Sequence, residues 1–478
     1  MVFSSLLFIF LFFAVTMFIY CYVSTIRHKN IVLLVASLVF YSWGGPKYLI
    51  LLLAMCFISW FFPLQIHRFR KNPGMKRLML ILGCGLDLGL LIYFKYAGFI
   101  LTNLQNLTGF PEVVPQIVLP IGISFYTFQL LSYVVDVYRG DVAPQKKYWK
   151  LLLYCSLFHQ CIAGPIVRYA DVAREIDHRR PRIPEIGRGI NRFVIGLVKK
   201  AIFANSCAQI ADMFLVGTVG ELADIPAAGL WLGALMYMLQ IYLDFSAYSD
   251  MAIGMGLMVG FHYKENFDYP YIAGSVTDFW RRWHISLSSF FRDYVYIPLG
   301  GNRKGERRKI LNLFIVWGLT GLWHGASWNF VLWGLYYFVF LVLEKQILMK
   351  RFENVPKALW HVYTLLVVYF GWVIFKFTDL SLLGTMFKGM FGLNQNGFIN
   401  IEVTMTIQNN IFFIIAAIIG CMPVLKNLYK SMCRRCKRNT IFKYTRRVIE
   451  VAGPTVLLLL ATMALVGDSY NPFLYFQF

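Results

Sequence analysis

Apolar runs recur along this chain from its first residues to its last, and no long polar stretch separates them. Of its 478 residues, 58% are hydrophobic and 15% are charged, whereas soluble globular proteins carry about 25% charged residues. The mean hydropathy is +0.58. A spanning helix needs about 20 mainly apolar residues. The sequence therefore predicts an all-α integral membrane protein with many spans, folded as one domain over residues 1–478.

Apolar segments of two kinds can be distinguished. Two are short and interrupted, near residues 149–166 and 250–262, and are predicted to be re-entrant, because irregular backbone at membrane depth is tolerated only inside protein or beside water. The first run has no basic flank or cleavage site and is predicted to be a retained span. The predicted spans lie near residues 2–23, 31–44, 47–63, 78–102, 115–135, 193–216, 226–246, 310–323, 328–347, 359–377, 408–427 and 450–467.

Basic residues give the chain a net charge of +22, and they are concentrated in short loops between the apolar runs. This distribution follows the positive-inside rule, so it indicates the lipid bilayer as the partner and argues against nucleic acid. All these loops fall on one side if the N-terminus is outside and the interrupted runs do not cross. We therefore expect a multi-pass protein of the inner (cytoplasmic) membrane, with loops 64–77, 167–192, 301–309 and 428–447 facing the cytoplasm.

Between residues 263 and 309 the chain is polar and aromatic, with no apolar run long enough to span. Arginines are mixed with aromatic residues there, as in Phe279–Trp283. Such a mixture is typical of the membrane interface, with rings at headgroup level and guanidinium groups toward water. We predict short interfacial helices on the cytoplasmic face, followed by a turn at residues 298–302.

Two histidines, His284 and His324, lie in unusual blocks of the apolar chain. An ionisable side chain at membrane depth is costly, so it suggests a functional site, and imidazole is suited to moving a proton near neutral pH. Gly321, Gly325 and Ala326 surround His324, so a helix break near Gly325 would expose its ring to a cavity. The alternatives are a structural His324 hydrogen-bonded between helices and an interfacial His284 that binds headgroups.

Four residues beside the histidines are candidates for binding a phosphate-bearing substrate: Arg281, Arg282, Trp283 and Trp323. Arginine forks suit phosphate, and a nucleotide or phosphopantetheine carries phosphates. Attraction to anionic lipid would explain the arginines equally well.

Asp244, Ser246 and Asp250 place carboxylates and a hydroxyl inside an apolar region. Buried carboxylates need partners. These residues could orient a histidine or line a polar tunnel that admits substrate, or they could form a structural hydrogen-bond network. No metal site is predicted: Cys433 and Cys436 form a C-x-x-C pair with no second pair or nearby histidine, which favours two reduced thiols.

Seven motifs are spread over most of the chain: Leu119–Gln129, Asp136–Gly140, Ala163–Arg168, Asp244–Ser246 with Tyr248–Asp250, Phe279–His284, Tyr296–Gly301 and Gly321–Gly325. Together they resemble the membrane-bound O-acyltransferase (MBOAT) superfamily and, within it, the alginate O-acetyltransferase AlgI-like branch. The resemblance runs from about residue 30 to 345, with the core motifs in 115–345 and variable C-terminal spans in 359–478. Residues 471–476 also resemble the AlgI-type terminus.

This resemblance implies a helical membrane fold around a central tunnel and transfer of an acyl group to a hydroxyl or similar acceptor. His324 matches the catalytic histidine of the family, expected to act as general base, and His284 matches a second polar position that is Asn in some branches. No tightly bound cofactor is implied. The donor would be acetyl-CoA or a phosphopantetheine-linked acyl group.

Similarity to the AlgI-like branch implies export of acetyl groups to partner acetyltransferases that modify polysaccharide. The resemblance therefore predicts an extracytoplasmic SGNH-hydrolase-like partner, with an acyl-carrier protein as a further candidate. One alternative is transfer of D-alanyl or another acyl group to teichoic acid or another acceptor. A second is a transporter of polysaccharide or acyl groups, which the lack of an evident internal repeat disfavours.

Overall fold

The computed structural model describes residues 2–110, 113–162, 164–351, 355–436, 439–467 and 470–471. Ala163 and residues 472–476 of the sequence motifs lie outside this part of the chain. Throughout the described ranges the regular structure is helical and contains no strand, so the all-α prediction is confirmed. The helices of the first half are α1 (Ala14–Tyr22), α2 (Ile26–Ser42), α3 (Pro46–Arg68), α4 (Pro73–Thr108), α5 (Ile123–Arg139), α6 (Tyr148–Ser156), α7 (Phe158–Cys161), α8 (Tyr169–His178), α9 (Ile183–Val198), α10 (Asn205–Phe214) and α11 (Val219–Asp224).

The second half continues with one very long helix, followed by short helices and then by further long ones. π-Helical turns are found at Leu7–Phe13, Lys199–Ala204, Arg292–Tyr296 and Glu344–Leu348, with a 3₁₀ turn at Pro270–Ile272. The helices are α12 (Ala227–Val259), α13 (Val276–Arg282), α14 (Ile285–Phe291), α15 (Glu306–His324), α16 (Trp328–Leu343), α17 (Met349–Arg351), α18 (Lys357–Lys376), α19 (Leu380–Met390), α20 (Ile401–Gly420), α21 (Val424–Arg435) and α22 (Thr440–Gly467).

Several helix starts are set by the side chain just before them. Thr25 accepts the backbone N–H of His28 at the start of α2, and Asn72 accepts that of Met75 at the start of α4. Ser275 caps α13 in the same way. Such N-caps satisfy donors that the helix itself cannot pair.

Eight helical segments in the described part are long and apolar enough to cross a membrane. Each corresponds to a predicted span, although the span predicted at 408–427 is found at Ile401–Gly420 in the structure. The multi-pass prediction is therefore confirmed. The segments are Pro46–Arg68, Pro73–Thr108, Ile183–Phe214, Ala227–Val259, Trp328–Arg351, Lys357–Lys376, Ile401–Gly420 and Thr440–Gly467.

Four other predicted spans form shorter or more polar helices. The runs near 2–23, 31–44 and 115–135 fold as Leu7–Tyr22, α2 and α5, and the run near 310–323 forms α15, whose first turn is charged. In α5, 14 of 17 residues are buried. A helix surrounded by protein on most sides need not match the bilayer thickness, which explains its shortness.

The structure corrects one of the two predicted re-entrant segments. Residues 250–259 are the last turns of α12 rather than a separate segment. Asp250, the polar residue at the start of this stretch, is ion-paired with Arg192 at 3.0 Å, so it does not break the helix. The stretch near 149–166 is interrupted as predicted, because Leu157 is non-helical between α6 and α7.

The helices group into two compact units. One comprises Met1–Phe193, Tyr248–Glu265 and Ser289–Val295, and the other Val194–Ala247, Asn266–Ser288 and Tyr296–Phe478. A cluster rich in buried aromatic residues, including Trp280, Trp283, Trp333 and Trp372, forms the core of the second unit. Both candidate histidines belong to this unit. The assignment of residues 1–478 to a single domain stays a prediction.

Candidate active site

His324 is the last residue of α15, and Gly325 continues the chain in an extended conformation with φ −168° and ψ 160°. The predicted helix break near Gly325 is thus confirmed. A Cβ on Gly325 would lie 2.1 Å from the ring of Phe330, and one on Gly321 would lie 2.3 Å from the Phe330 carbonyl oxygen. The glycines beside His324 are therefore required for close packing of α15 against α16.

His284 lies between α13 and α14 and is fully buried. Its backbone φ is +44°, a left-handed conformation that only a few per cent of non-glycine residues adopt, with asparagine, aspartate and histidine the most frequent among them. Such strain costs on the order of 1–3 kcal/mol and persists only where surrounding contacts enforce it. Strained residues cluster at functional sites, so this backbone is consistent with the predicted site role.

Asn266 supplies the contacts that hold His284 in place. The backbone oxygen of Asn266 accepts the N–H of Ile285 at 2.9 Å. Its side-chain Oδ1 accepts the backbone N–H of Ser286 at 3.2 Å and the Ser286 hydroxyl at 2.8 Å. Because a backbone N–H can only donate, the atom facing Ser286 must be the amide oxygen.

This assignment fixes the tautomer of His284. Its Nδ1 lies 3.1 Å from the same Asn266 Oδ1, so Nδ1 carries the proton and donates it. Burial lowers the pKa of His284 to about 3, which keeps the ring neutral because charge is disfavoured away from water. Nε2 is then a lone-pair acceptor, buried and without a hydrogen-bond partner in the described structure. The Nε2 atom of His284 is thus set to accept a hydrogen bond.

The two histidines meet at one indole ring. The His284 ring centroid lies 5.7 Å from that of Trp323, and the His324 centroid lies 5.0 Å from it. Trp333 and Phe375 also contact the His324 ring edge-on, at 4.8 Å and 5.2 Å. The structure therefore brings together three predicted site residues that are up to 40 positions apart in the sequence.

Trp283 packs beside this cluster, with its ring 4.7 Å from Trp372 and 5.1 Å from Phe267. The rings of Phe279, Trp280 and Trp283 are buried in the protein, whereas the sequence predicted rings exposed among lipid headgroups. Aromatic rings also pack favourably against one another through edge-to-face contacts. A segment rich in aromatic residues is therefore compatible with either a protein core or the membrane interface, and composition alone does not distinguish the two. The short helices themselves, α13 and α14, and the turn after residue 297 are as predicted.

The two arginines before Trp283 differ in their surroundings. Arg282 contacts two carboxylates, with Nε 3.0 Å from Asp278 and Nη1 3.5 Å from Asp268. Arg281 is exposed and has no ion pair with a described carboxylate. Since Arg282 is already neutralised by acidic neighbours, Arg281 is the better of the two candidates for a donor phosphate.

Asp244 and Ser246 face lysines on the preceding π-helical turn. Lys200 Nζ lies 2.9 Å from Asp244 Oδ1, and both side chains are 1% exposed. Lys199 donates to the Ser246 hydroxyl at 3.4 Å. Asp250, by contrast, belongs to the first unit, where it pairs with Arg192. These contacts favour the structural reading of the two carboxylates over the orientation of a histidine.

Several residues at the site were missed by the sequence analysis. Asn266 fixes the His284 tautomer, Lys200 neutralises Asp244, and Phe245 contacts the His284 ring edge-on at 4.8 Å. Asn266 gives no signal, because a lone asparagine in a polar loop is ordinary. Lys200 could have been found, since a lysine within a predicted span requires a partner.

Comparison with known proteins supports the family resemblance found in the sequence motifs. A family model for the membrane-bound O-acyltransferase family matches residues 146–387, which include both histidines. The chain is 37% identical over 505 residues to a probable alginate O-acetylase AlgI of Pseudomonas putida, with all of both chains covered. It is 33% identical to a peptidoglycan O-acetyltransferase of Helicobacter pylori, covering 93% of this chain and 91% of the other. A teichoic acid D-alanyltransferase of Bacillus subtilis is 27% identical, covering 55% and 68% respectively.

A polytopic helical fold with buried histidines, together with these matches, defines an enzyme of the membrane O-acyltransferase class. The chain belongs to the membrane-bound O-acyltransferase family, in its AlgI-like branch.

Replacing His284 with asparagine is expected to retain partial activity. Asparagine is the non-glycine residue that best tolerates the left-handed backbone, and its side-chain oxygen can still accept a hydrogen bond. Valine at the same position should lose activity and stability, because a β-branched residue at positive φ is strained by about 1–2 kcal/mol. Acyl transfer and thermal unfolding would be measured for both purified variants. An inactive but normally stable His284→Asn would contradict the acceptor role.

Proposed function

We propose that this chain transfers an acetyl group from a cytoplasmic thioester to an acceptor hydroxyl, for O-acetylation of an extracytoplasmic polysaccharide. The observation that carries the proposal is the pair of histidines on Trp323, one of them held as a neutral acceptor by Asn266. The donor is acetyl-CoA or a phosphopantetheine-linked acyl group. The protein lies in the inner (cytoplasmic) membrane.

His324 acts as the general base. It takes the proton of the acceptor hydroxyl, whose oxygen attacks the thioester carbonyl; the C–S bond breaks, and His324 returns the proton to the leaving thiolate. A positioned histidine contributes roughly 10²–10⁴-fold in such a step. The carboxyl end of α15 carries partial negative charge, which favours the imidazolium formed during transfer.

His284 acts beside this step by accepting a hydrogen bond from the hydroxyl or thiol through Nε2. The aromatic walls, including Trp323 and Phe375, exclude water, which would otherwise compete as acceptor and hydrolyse the thioester. Arg281 attracts the donor phosphates from the exposed end of α13. The central tunnel implied by the family would let a cytoplasmic donor and an extracytoplasmic acceptor meet.

The acceptor is an alginate-like or other cell-surface glycan, reached through an SGNH-hydrolase-like acetyltransferase outside the membrane. Support for a glycan comes from the names of the relatives, which are alginate and peptidoglycan O-acetylating proteins at 37% and 33% identity. D-Alanyl transfer to teichoic acid is disfavoured, because the relative with that activity matches only 55% of this chain.

Expression of the chain in an alginate-producing bacterium that lacks only its own membrane acetylase would test this function. We expect O-acetyl groups to return to the exported polymer, as measured by proton NMR, and to be absent with the inactive His324→Ala variant. Peptidoglycan from the same cells would be analysed in parallel, and acetylation there instead would reassign the acceptor. D-alanyl esters, or no ester on either polymer from a membrane-inserted protein, would contradict the proposal.

A further inference from the structure

The first unit contains a cavity of about 360 Å³ that is separate from the histidine site. It lies where the start of α2, the start of α6 and the end of α8 meet. Ligand pockets are usually about 300–1,000 Å³, so a small molecule or a headgroup would fit. The cavity is lined by Ile26, Arg27, Asn30, Lys147, Trp149, Lys150 and Asp177.

The charges around this cavity are unbalanced. Of its three basic residues, Lys150 is paired with Asp177, whereas Arg27 and Lys147 are exposed and form no ion pair with a described carboxylate. Three cations and one carboxylate leave a net charge of +2. An anionic ligand would be attracted by the two unpaired groups.

Two helix starts add to this positive potential. Arg27 is in the first turn of α2, a helix of 17 residues, and Lys147 is the residue just before α6. Neither helix has an acidic residue in its first turn, although helix N-termini favour negative charge. Both cations therefore add to the positive ends of the two helix dipoles, where an anion is favoured.

A buried acceptor in the cavity wall provides a second, independent indication. Asn30 is 1% exposed, and its Nδ2 donates to the carbonyl oxygen of Ile176 at 2.8 Å. The amide orientation is therefore fixed, and Oδ1 is a buried oxygen without a hydrogen-bond partner. A buried amide oxygen is costly when unpaired, so a donor on a ligand would satisfy it.

We propose that this cavity binds a phosphate ester carrying a hydroxyl or amino group close to its phosphate. Arg27 and Lys147 hold the phosphate oxygens, Asn30 Oδ1 accepts the hydroxyl or amine, and the Trp149 ring packs against the remaining apolar part. The phosphate comes from a lipid headgroup or from a soluble nucleotide. This binding does not depend on the proposed acetyl transfer.

Isothermal titration of the purified full-length protein in an uncharged detergent would test the proposal. The probes are dihexanoyl-phosphatidylglycerol for the lipid source and adenosine 5′-monophosphate for the soluble one. Arg27→Gln with Lys147→Gln should weaken binding of the active probe by about tenfold or more, because charge-assisted contacts are lost. The matched control, Arg174→Gln with Arg180→Gln, removes the same charge from exposed positions outside the cavity and should leave binding within about twofold.

The role of Asn30 is tested with a third probe. Dihexanoyl-phosphatidylmethanol has the same charge as the glycerol lipid but lacks its hydroxyls. For a lipid ligand, the wild type should prefer the glycerol headgroup, and Asn30→Leu should remove that preference; for a nucleotide, Asn30→Leu should weaken binding directly. The proposal would be overturned if neither dihexanoyl-phosphatidylglycerol nor adenosine 5′-monophosphate binds. It would also be overturned if the cavity variant and the control variant lose the same affinity, or if Asn30→Leu leaves the headgroup preference of the lipid, or the affinity for the nucleotide, unchanged.

Discussion

His324→Ala is expected to lower acetyl transfer by about 100-fold or more, because a hydroxyl is a poor nucleophile without a base. The variant should still insert into the membrane at normal levels. Removing the ring at the end of α15 leaves the close packing of Gly321 and Gly325 against Phe330 intact. The measurement is the O-acetyl content of the exported polymer, normalised to the amount of membrane protein.

His361→Ala is the matched control for this change. His361 is half-buried on α18, where its Nδ1 donates to the carbonyl oxygen of Ala273 at 3.0 Å, and it is not among the residues described around Trp323. Its loss should alter stability slightly and activity little. Near-normal acetylation by a well-expressed His324→Ala protein would refute the base assignment, as would an equal loss in both variants.

Lys200→Met is expected to be the most destabilising single substitution considered for this chain. Lys200 and Asp244 form an ion pair at 2.9 Å with both side chains 1% exposed. Removing one partner of a buried pair leaves a desolvated charge behind and costs about 3–5 kcal/mol. Thermal unfolding in detergent should therefore show a clear drop in midpoint. The double variant Lys200→Met with Asp244→Leu should recover most of the loss, since it removes both charges of the pair.

Lys264→Met provides the comparison on the surface. Lys264 pairs with Asp171 at 2.6 Å but is 72% exposed, so solvent screening limits its contribution to at most about 1 kcal/mol. Equal destabilisation by Lys200→Met and Lys264→Met, or a double variant no more stable than Lys200→Met, would show that burial of the pair is not what stabilises this region.

The sequence predicted the two histidines and Trp323 of the candidate site, but it did not predict their arrangement or the contact of Asn266 with His284. His284 and His324 stand out because ionisable groups are rare in apolar chain, and the glycines beside His324 indicated close backbone packing. The fold class follows from the same source: a chain with runs of this length and hydropathy has few solutions other than membrane helices. These local patterns do not show which residues far apart in the chain come into contact in the fold.

Only the tertiary structure decided which polar groups act together. It paired Asp244 with Lys200 and Asp250 with Arg192, so two carboxylates that looked alike in one motif have separate partners. It placed the rings of Phe279–Trp283 inside the second unit, where composition alone pointed to the membrane surface. It also brought Asn266 to His284, which sets the tautomer of that ring. Sequence determined the membrane fold through local hydrophobicity, whereas proton positions and ion pairing depend on contacts that only folding creates.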